Sequence, residues 1–311
     1  MQCQPYQPEQ AAEWNSFLAQ SRNGTFLYQR GYMDYHADRF QDASIWITGE
    51  DGHPLALLPA NRAGDTVVSH GGLTFGGLVL GDKTGAADVM EMFVRLREYW
   101  AAQGIQKLIY KPVPHIYHRV PSEEDLYALH RLHARTVRVD VSTTIDQAHR
   151  LPLSKGRKHA LGKARKAGIS IRQSQDYAAC WAMLTQNLAD RHGVAPTHSL
   201  AEMTLLASRC PQIHLYMAYL DAMPVAGVVV YAYQQVAHTQ YIALTDTARE
   251  TGALDLLLET LISEVYADKP YFNFGISTCN HGLYFNEGLC AQKEMFGGRT
   301  TVMQWLEMAC A

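Results

Sequence analysis

Hydrophobic positions near the start of the chain follow a helical period, with Ala11, Trp14, Phe17 and Leu18 at three- and four-residue spacing predicting a helix over 8–19. A shorter helix is predicted over 30–36. The apolar runs 43–48, 54–60 and 66–69 read as strands, and the turn signals Glu50-Asp51-Gly52 and Arg62-Ala63-Gly64-Asp65 between them predict an antiparallel meander. After the glycine-rich stretch 71–77, Val89, Met92, Phe93, Leu96 and Trp100 draw the apolar face of an amphipathic helix over 86–103, which Gly104 ends. A strand over 107–111 follows. Ser122 reads as the N-cap of a helix reaching about 132, with Glu123, Glu124 and Asp125 answering the free amides of its first turn, and a strand over 136–141 comes next.

The second half repeats this order. A strand is predicted over 169–172, helices over 177–191 and 200–208, and a second meander over 213–220, 225–233 and 236–244, with Asp221-Ala222-Met223-Pro224 as a turn. A helix over 253–266, a strand over 271–275 and a last strand over 300–305 complete it. The repetition is one of topology with little residue identity. It predicts two tandem domains, 1–148 and 149–311, with a basic helix over 153–168 at their junction, and central, mostly antiparallel sheets flanked by helices in a mixed α/β (α+β) class.

Charge changes the picture at that junction. The 311 residues carry 27 Lys+Arg and 30 Asp+Glu, a net charge of -3 that by itself argues against a nucleic-acid coat. Between 150 and 172, however, eight basic residues occur without an acid, which leaves 19 against 30 elsewhere; this strip predicts contact with an anion. The six cysteines include no C-x-x-C pair. No apolar run approaches the length of a membrane span, and the first residues lack a leader pattern, so a cytoplasmic protein is expected.

The order of elements resembles that of GNAT acyltransferases, and its duplication resembles the Fem-type (FemABX-like) transferases. Residues 156–169, Gly-Arg-Lys-His-Ala-Leu-Gly-Lys-Ala-Arg-Lys-Ala-Gly-Ile, look like the basic helix of that group. Tyr271-Phe272-Asn273-Phe274-Gly275 is similar to its aromatic-Asp-Phe-Gly element. Gly288-Leu289, Gln292-Lys293 and Phe296-Gly297 are similar to its Gly-Leu-x-x-Phe-Lys-x-x-Phe-Gly element. Asn273 stands where the pattern has Asp, and Gln292 where it has Phe. The helical arm of some Fem enzymes is absent. The resemblance implies an N-acyltransferase moving an acyl group, acetyl first among them, from acyl-CoA to an amine. It suggests an amino sugar or nucleotide-linked amino sugar of surface-polysaccharide synthesis as acceptor. An aminoacyl-tRNA-dependent, Fem-like amide-forming transferase is the alternative, as is an inactive double-GNAT binding scaffold.

Such chemistry needs a carrier pocket, a proton acceptor and a donor to the oxyanion or leaving thiolate. For the carrier, Arg249, Gly252 and Ala253 fit part of the GNAT pyrophosphate loop, in which backbone amides at a helix start cradle phosphate; Leu254 departs from it, and the same residues suit a helix-entry loop with a solvated arginine. Arg157 and Lys158 of the strip are further candidates for the phosphates. By resemblance, Lys293 is the catalytic cation at the oxyanion. Asn280, His281 and Tyr284, in the loop after 271–275, could cap a substrate. In the first half, Tyr110, Lys111, Tyr117 and His118 form the candidate acceptor pocket around the proline-braced 112–114, with His70 or His115 as base. His115-x-x-His118 and His130-x-x-His133 lack completing ligands, so no metal is expected. Ser69-His70 has no G-x-S-x-G elbow, which argues against a serine hydrolase.

Overall fold

The computed structural model describes residues 1–310, the side chains of 191 and 192 excepted. The chain divides into two compact units, one of residues 1–141, 279–284 and 302–311, the other of residues 142–278 and 285–301. The division falls inside the strand Arg135–Asp146, ahead of the 148/149 cut read from the sequence, because the strand pattern runs on without a break there.

In the first unit a four-stranded antiparallel sheet takes the order Gln2–Pro5, Ile45–Thr48, Pro54–Leu58, Val79–Leu80. The expected three-stranded meander is therefore corrected. Pro54–Leu58 pairs with Val79–Leu80, and the chain turns at 59–60 into the hairpin Asn61–Ala63/Thr66–Val68 of another sheet, where Thr66–Val68 runs parallel to Lys107–Tyr110. Strand alternation marks which residues are buried but not which neighbour covers the edge. The helix Ala86–Ala101 buries Val89, Met92, Phe93, Leu96 and Trp100, the face its periodicity predicts. Ser122 is not a cap: its hydroxyl donates to Val120 O at 3.2 Å, and the helix Glu124–Arg131 starts one residue after Glu123.

In the second unit Ser170–Ser174, Ile213–Leu220, Met223–Ala232 and Val236–Leu244 form an antiparallel series. Val236–Leu244 then pairs in parallel with Tyr271–Ile276, which pairs antiparallel with residues 142–146. The apolar run 225–231 is buried on both faces. Val228 and Val230 join the core with Leu161, Ala164 and Leu257, while the intervening Gly227 lies so close to Cys180 that an added Cβ would stand 2.8 Å from its sulfur. Helices thus cover the sheet on both sides. The basic helix Lys155–Lys166 is capped by Ser154, whose hydroxyl accepts from Arg157 N.

Candidate active site

The second unit gathers its chemistry where two parallel strands part. Val236–Leu244 and Tyr271–Ile276 stay in register through His238 and Asn273 and then separate. On its other edge the first of these strands slips register, Tyr241 facing Val229 and Thr239 facing Val230, so Gln240 is an extra residue that bends the strand. Side chains replace the lost ladder. Asn273 Nδ2 donates to Ser142 Oγ at 2.9 Å and Thr144 Oγ1 at 2.8 Å, and its Oδ1 accepts from Gly275 N at 2.8 Å. That leaves Oδ1 as the acceptor for His238 Nδ1 at 2.7 Å, which fixes the proton on Nδ1. Burial holds the imidazole neutral with a pKa lowered to about 4, against the opposing pull of the Asn273 bond.

Lys293 lies in the helix Glu287–Glu294 and is buried. Its Nζ donates to Gly275 O at 3.0 Å, Ile276 O at 2.7 Å and Ser277 Oγ at 3.1 Å, all on the segment that leaves the parting strands. Burial lowers its pKa to about 8. All three ammonium protons are therefore engaged, and the lysine both anchors this segment and keeps a cation within it.

Arg157 is not displayed to an external anion. It is ion-paired with Asp255, donates to Gln292 O at 3.0 Å and lies 4.4 Å over the Phe296 ring, tying the basic helix to its neighbours. Arg150 is held likewise by Glu259 at 2.7 and 3.1 Å. Among the described residues Lys155, Lys158, Lys163, Arg165 and Lys166 are exposed and make no ion pair.

The expected pyrophosphate loop is folded differently. Residues 246–251 form a short helix capped by Thr245, and Gly252, at φ 77°, abuts the basic helix so closely that a Cβ would lie 2.6 Å from Ala160 O. Ala253 is buried. Arg249 pairs with Asp246 at 2.7 Å and, with Gln186, Asn187 and Asp190, lines a cavity of about 620 Å³ at the end of Val236–Leu244. Asn187 grips that strand end, donating to Leu244 O at 2.8 Å and accepting from its amide at 2.9 Å.

The candidate pocket of the first unit does not assemble as one surface. Tyr110 is interior, its hydroxyl donating to Asp125 at 2.6 Å and accepting from Leu78 N at 2.7 Å. Lys111 is buried, bound to Leu73 O and to His70 O at 2.9 Å and 4.9 Å from the Trp305 ring centre; burial lowers its pKa to about 7, and Arg138 adds to that. Tyr117 packs 4.6 Å from Phe75, and His118 Nε2 bonds Val113 O at 2.9 Å. His115 is exposed. His70 is buried, and its pKa falls to about 3 through burial and the nearby His36 and Lys111, which makes it a hydrogen-bonding group rather than a base at neutral pH. Asn280 and His281, with φ of 49° and 55°, form an exposed left-handed turn with Gly282, followed by exposed Tyr284.

His238, Gln240 and Asn187 were missed by sequence reasoning. A single polar residue inside a strand carries no spacing signal, and a bulge is visible only from its partner strand.

Among the described residues no three His, Cys, Asp or Glu side chains converge as metal ligands, and no helix is long and apolar enough to cross a membrane. Residues 154–281 match the acetyltransferase (GNAT) domain family. No curated protein matches the sequence. Among solved structures, FemX is similar at 11% identity and a TM-score of 0.67, covering 99% of this chain and 97% of its own. The C-terminal domain of a putative lysylphosphatidylglycerol synthetase from Agrobacterium fabrum is similar at 13% identity and 0.63, covering 96% and 91%. A tandem GNAT protein from the clavulanic acid biosynthesis pathway is similar at 11% identity and 0.55, covering 100% and 98%. With the parting strands and the bulge at Gln240 inside the matched residues, the chain carries an acetyltransferase (GNAT) domain within a tandem GNAT fold and belongs, by its chemistry, with the acyltransferases.

Proposed function

We propose that the protein is an N-acyltransferase that moves an acyl group, acetyl first among the candidates, from acyl-CoA to the amine of a small acceptor such as an amino sugar, free or nucleotide-linked. The observation that supports this reading is the gap between Val236–Leu244 and Tyr271–Ile276 beyond His238 and Asn273. There the backbone beside Gln240 has lost its strand partner, and an extended acyl-pantetheine arm can take its place. The acceptor nitrogen attacks the thioester carbonyl, a C–N bond forms, the C–S bond breaks, and the surplus amine proton leaves to water while the thiolate is protonated. Lys293 supplies positive charge as the oxyanion forms, its longest bond, to Ser277, being the one that yields. The reading places the enzyme in the cytoplasm, where acyl-CoA is available.

One observation favours a second reading. The closed helix at 246–251 offers no open phosphate cradle, while five exposed cations line the basic helix, an arrangement suited to the backbone of a charged tRNA. Calorimetry with acetyl-CoA, and mass spectrometry of products from an amine panel including glucosamine, test the first reading. Acyl-CoA consumed only with an amine supports it. Indifference to acyl-CoA together with steeply salt-dependent tRNA binding supports the second. Binding without turnover of either donor assigns the fold to a scaffold.

A further inference from the structure

The first unit holds a cavity of about 310 Å³ that the proposed reaction does not use. Its walls are aromatic and polar at once. The His36 and His70 rings lie parallel, 5.2 Å apart and 13° from coplanar, and Phe40 stands 4.8 Å from one and 5.4 Å from the other. Opposite them Tyr6 covers the guanidinium of Arg30 at 3.8 Å. Gly72 permits this arrangement, because a Cβ there would run into both His36 and Phe40.

Two polar groups on this wall lack partners although they are almost wholly enclosed. His70 is 4% exposed and its Nδ1 has no hydrogen bond; Arg30 is 5% exposed and its Nε–H has none. The other guanidinium nitrogens are satisfied by Asp34 at 2.7 Å, by Asp42 and by Ser44 at 3.4 Å. Leaving a buried donor unmet costs on the order of 1–3 kcal/mol, so orphaned groups on a cavity wall point to a ligand. His70 also holds a left-handed backbone, φ 61°, uncommon for a side chain of its size.

The chemistry of the walls selects the ligand class. Both imidazoles are kept neutral by burial, so each offers one donor and one acceptor, while Arg30 Nε offers a donor only. A formal anion finds no uncompensated cation here, because Arg30 already faces two carboxylates. A purely apolar ring leaves Arg30 Nε and His70 Nδ1 unmet. Hydroxyl groups both give and accept, and the C–H faces of a saturated ring stack on Phe40 and Tyr6. We propose that this cavity is a binding site for one uncharged, hydroxyl-rich ring of monosaccharide size. The site stands apart from the acyl-transfer reading, and either can fail alone.

Saturation-transfer NMR of the full chain with methyl glucoside tests it, with cyclohexylamine and inorganic phosphate as controls. The expected result is saturation of the glycoside ring protons and neither control, with at least a fivefold loss in Phe40→Leu. His70→Asn, which tolerates the left-handed backbone, should lose as much while keeping the melting temperature. No transfer to the glycoside, equal transfer in both folded variants, or stronger transfer to cyclohexylamine or phosphate overturns the proposal. Acetyl transfer to a non-sugar amine, measured separately, reports on the reaction and not on this cavity.

Discussion

His238 and Asn273 face each other across parallel strands at 2.7 Å, at the last point where those strands are paired. Because the Asn273 amide also donates to two hydroxyls and accepts from Gly275 N, its orientation is determined, and with it the tautomer of His238. Asn273→Asp tests this relationship. A carboxylate can still accept from Ser142, Thr144 and Gly275, but it adds a charge beside the imidazole, which favours the imidazolium. The His238 pKa, about 4 in the native chain, should rise by at least one unit in NMR titration. An unshifted titration would show that the two side chains do not interact in solution.

The same burial makes the fold sensitive to acid. His70 and His238 have folded pKa values of about 3 and about 4, below the value of about 6.5 for an exposed histidine, so below that value the unfolded chain binds protons that the folded chain refuses. The stability these groups contribute is fully present above about pH 6.5 and is lost as pH falls toward 4. Urea unfolding at pH 7 and pH 5 should differ by on the order of 2–4 kcal/mol, with a smaller difference in His70→Asn. A flat profile between these pH values would contradict the burial.

Much of this was legible in the sequence, for reasons that separate local from distant causes. The helix Ala86–Ala101 follows from one apolar stripe, and the two-sided burial of 225–231 from an unbroken apolar run. The Lys293 segment was legible only through family resemblance. Sheet partnership was not, as the meander shows, because Pro54–Leu58 could pair equally well with several extended runs. Arg157 read as one of a row of cations. Only the fold brings Asp255 to it, from a residue nearly a hundred positions away.

Gly252 read as part of a phosphate loop, and the structure gives it a packing role. Gly252→Ala must place a Cβ against Ala160 O in a left-handed backbone, so it should destabilise by about 1–3 kcal/mol. In thermal melts the midpoint should fall by several degrees. The fraction that remains folded should bind acyl-CoA with native affinity, and a selective loss of that affinity at native stability would restore the phosphate-loop reading.

Arg157 and Lys158 are adjacent in sequence but differ in what holds them. Arg157→Gln leaves Asp255 half-enclosed without its cation and should cost about 2 kcal/mol or more, read by urea unfolding. Lys158→Glu, on the exposed side, should change stability by less than about 0.5 kcal/mol. It should nevertheless weaken binding to a polyanion, and reduce its salt dependence if the polyanion is tRNA. Equal stability losses in the two variants would show that the exposed row is also part of the packing.

Lys293 combines anchoring with charge, and pH separates the two. Its folded pKa of about 8 lies below the ordinary lysine value, so between pH 8 and about 10.5 the unfolded chain holds the extra proton and stability rises with pH across that window. Catalysis that needs the cation runs the other way: kcat should fall as pH rises through about 8. Lys293→Ala removes three hydrogen bonds from Gly275, Ile276 and Ser277, so it should lower both stability and turnover. Lys293→Arg, charged at every accessible pH, should retain partial activity and lose the fall near pH 8. A kcat profile that declines identically in the native chain and the arginine variant would leave Lys293 with the anchoring role alone, because only a group that titrates with this lysine can move the profile with it.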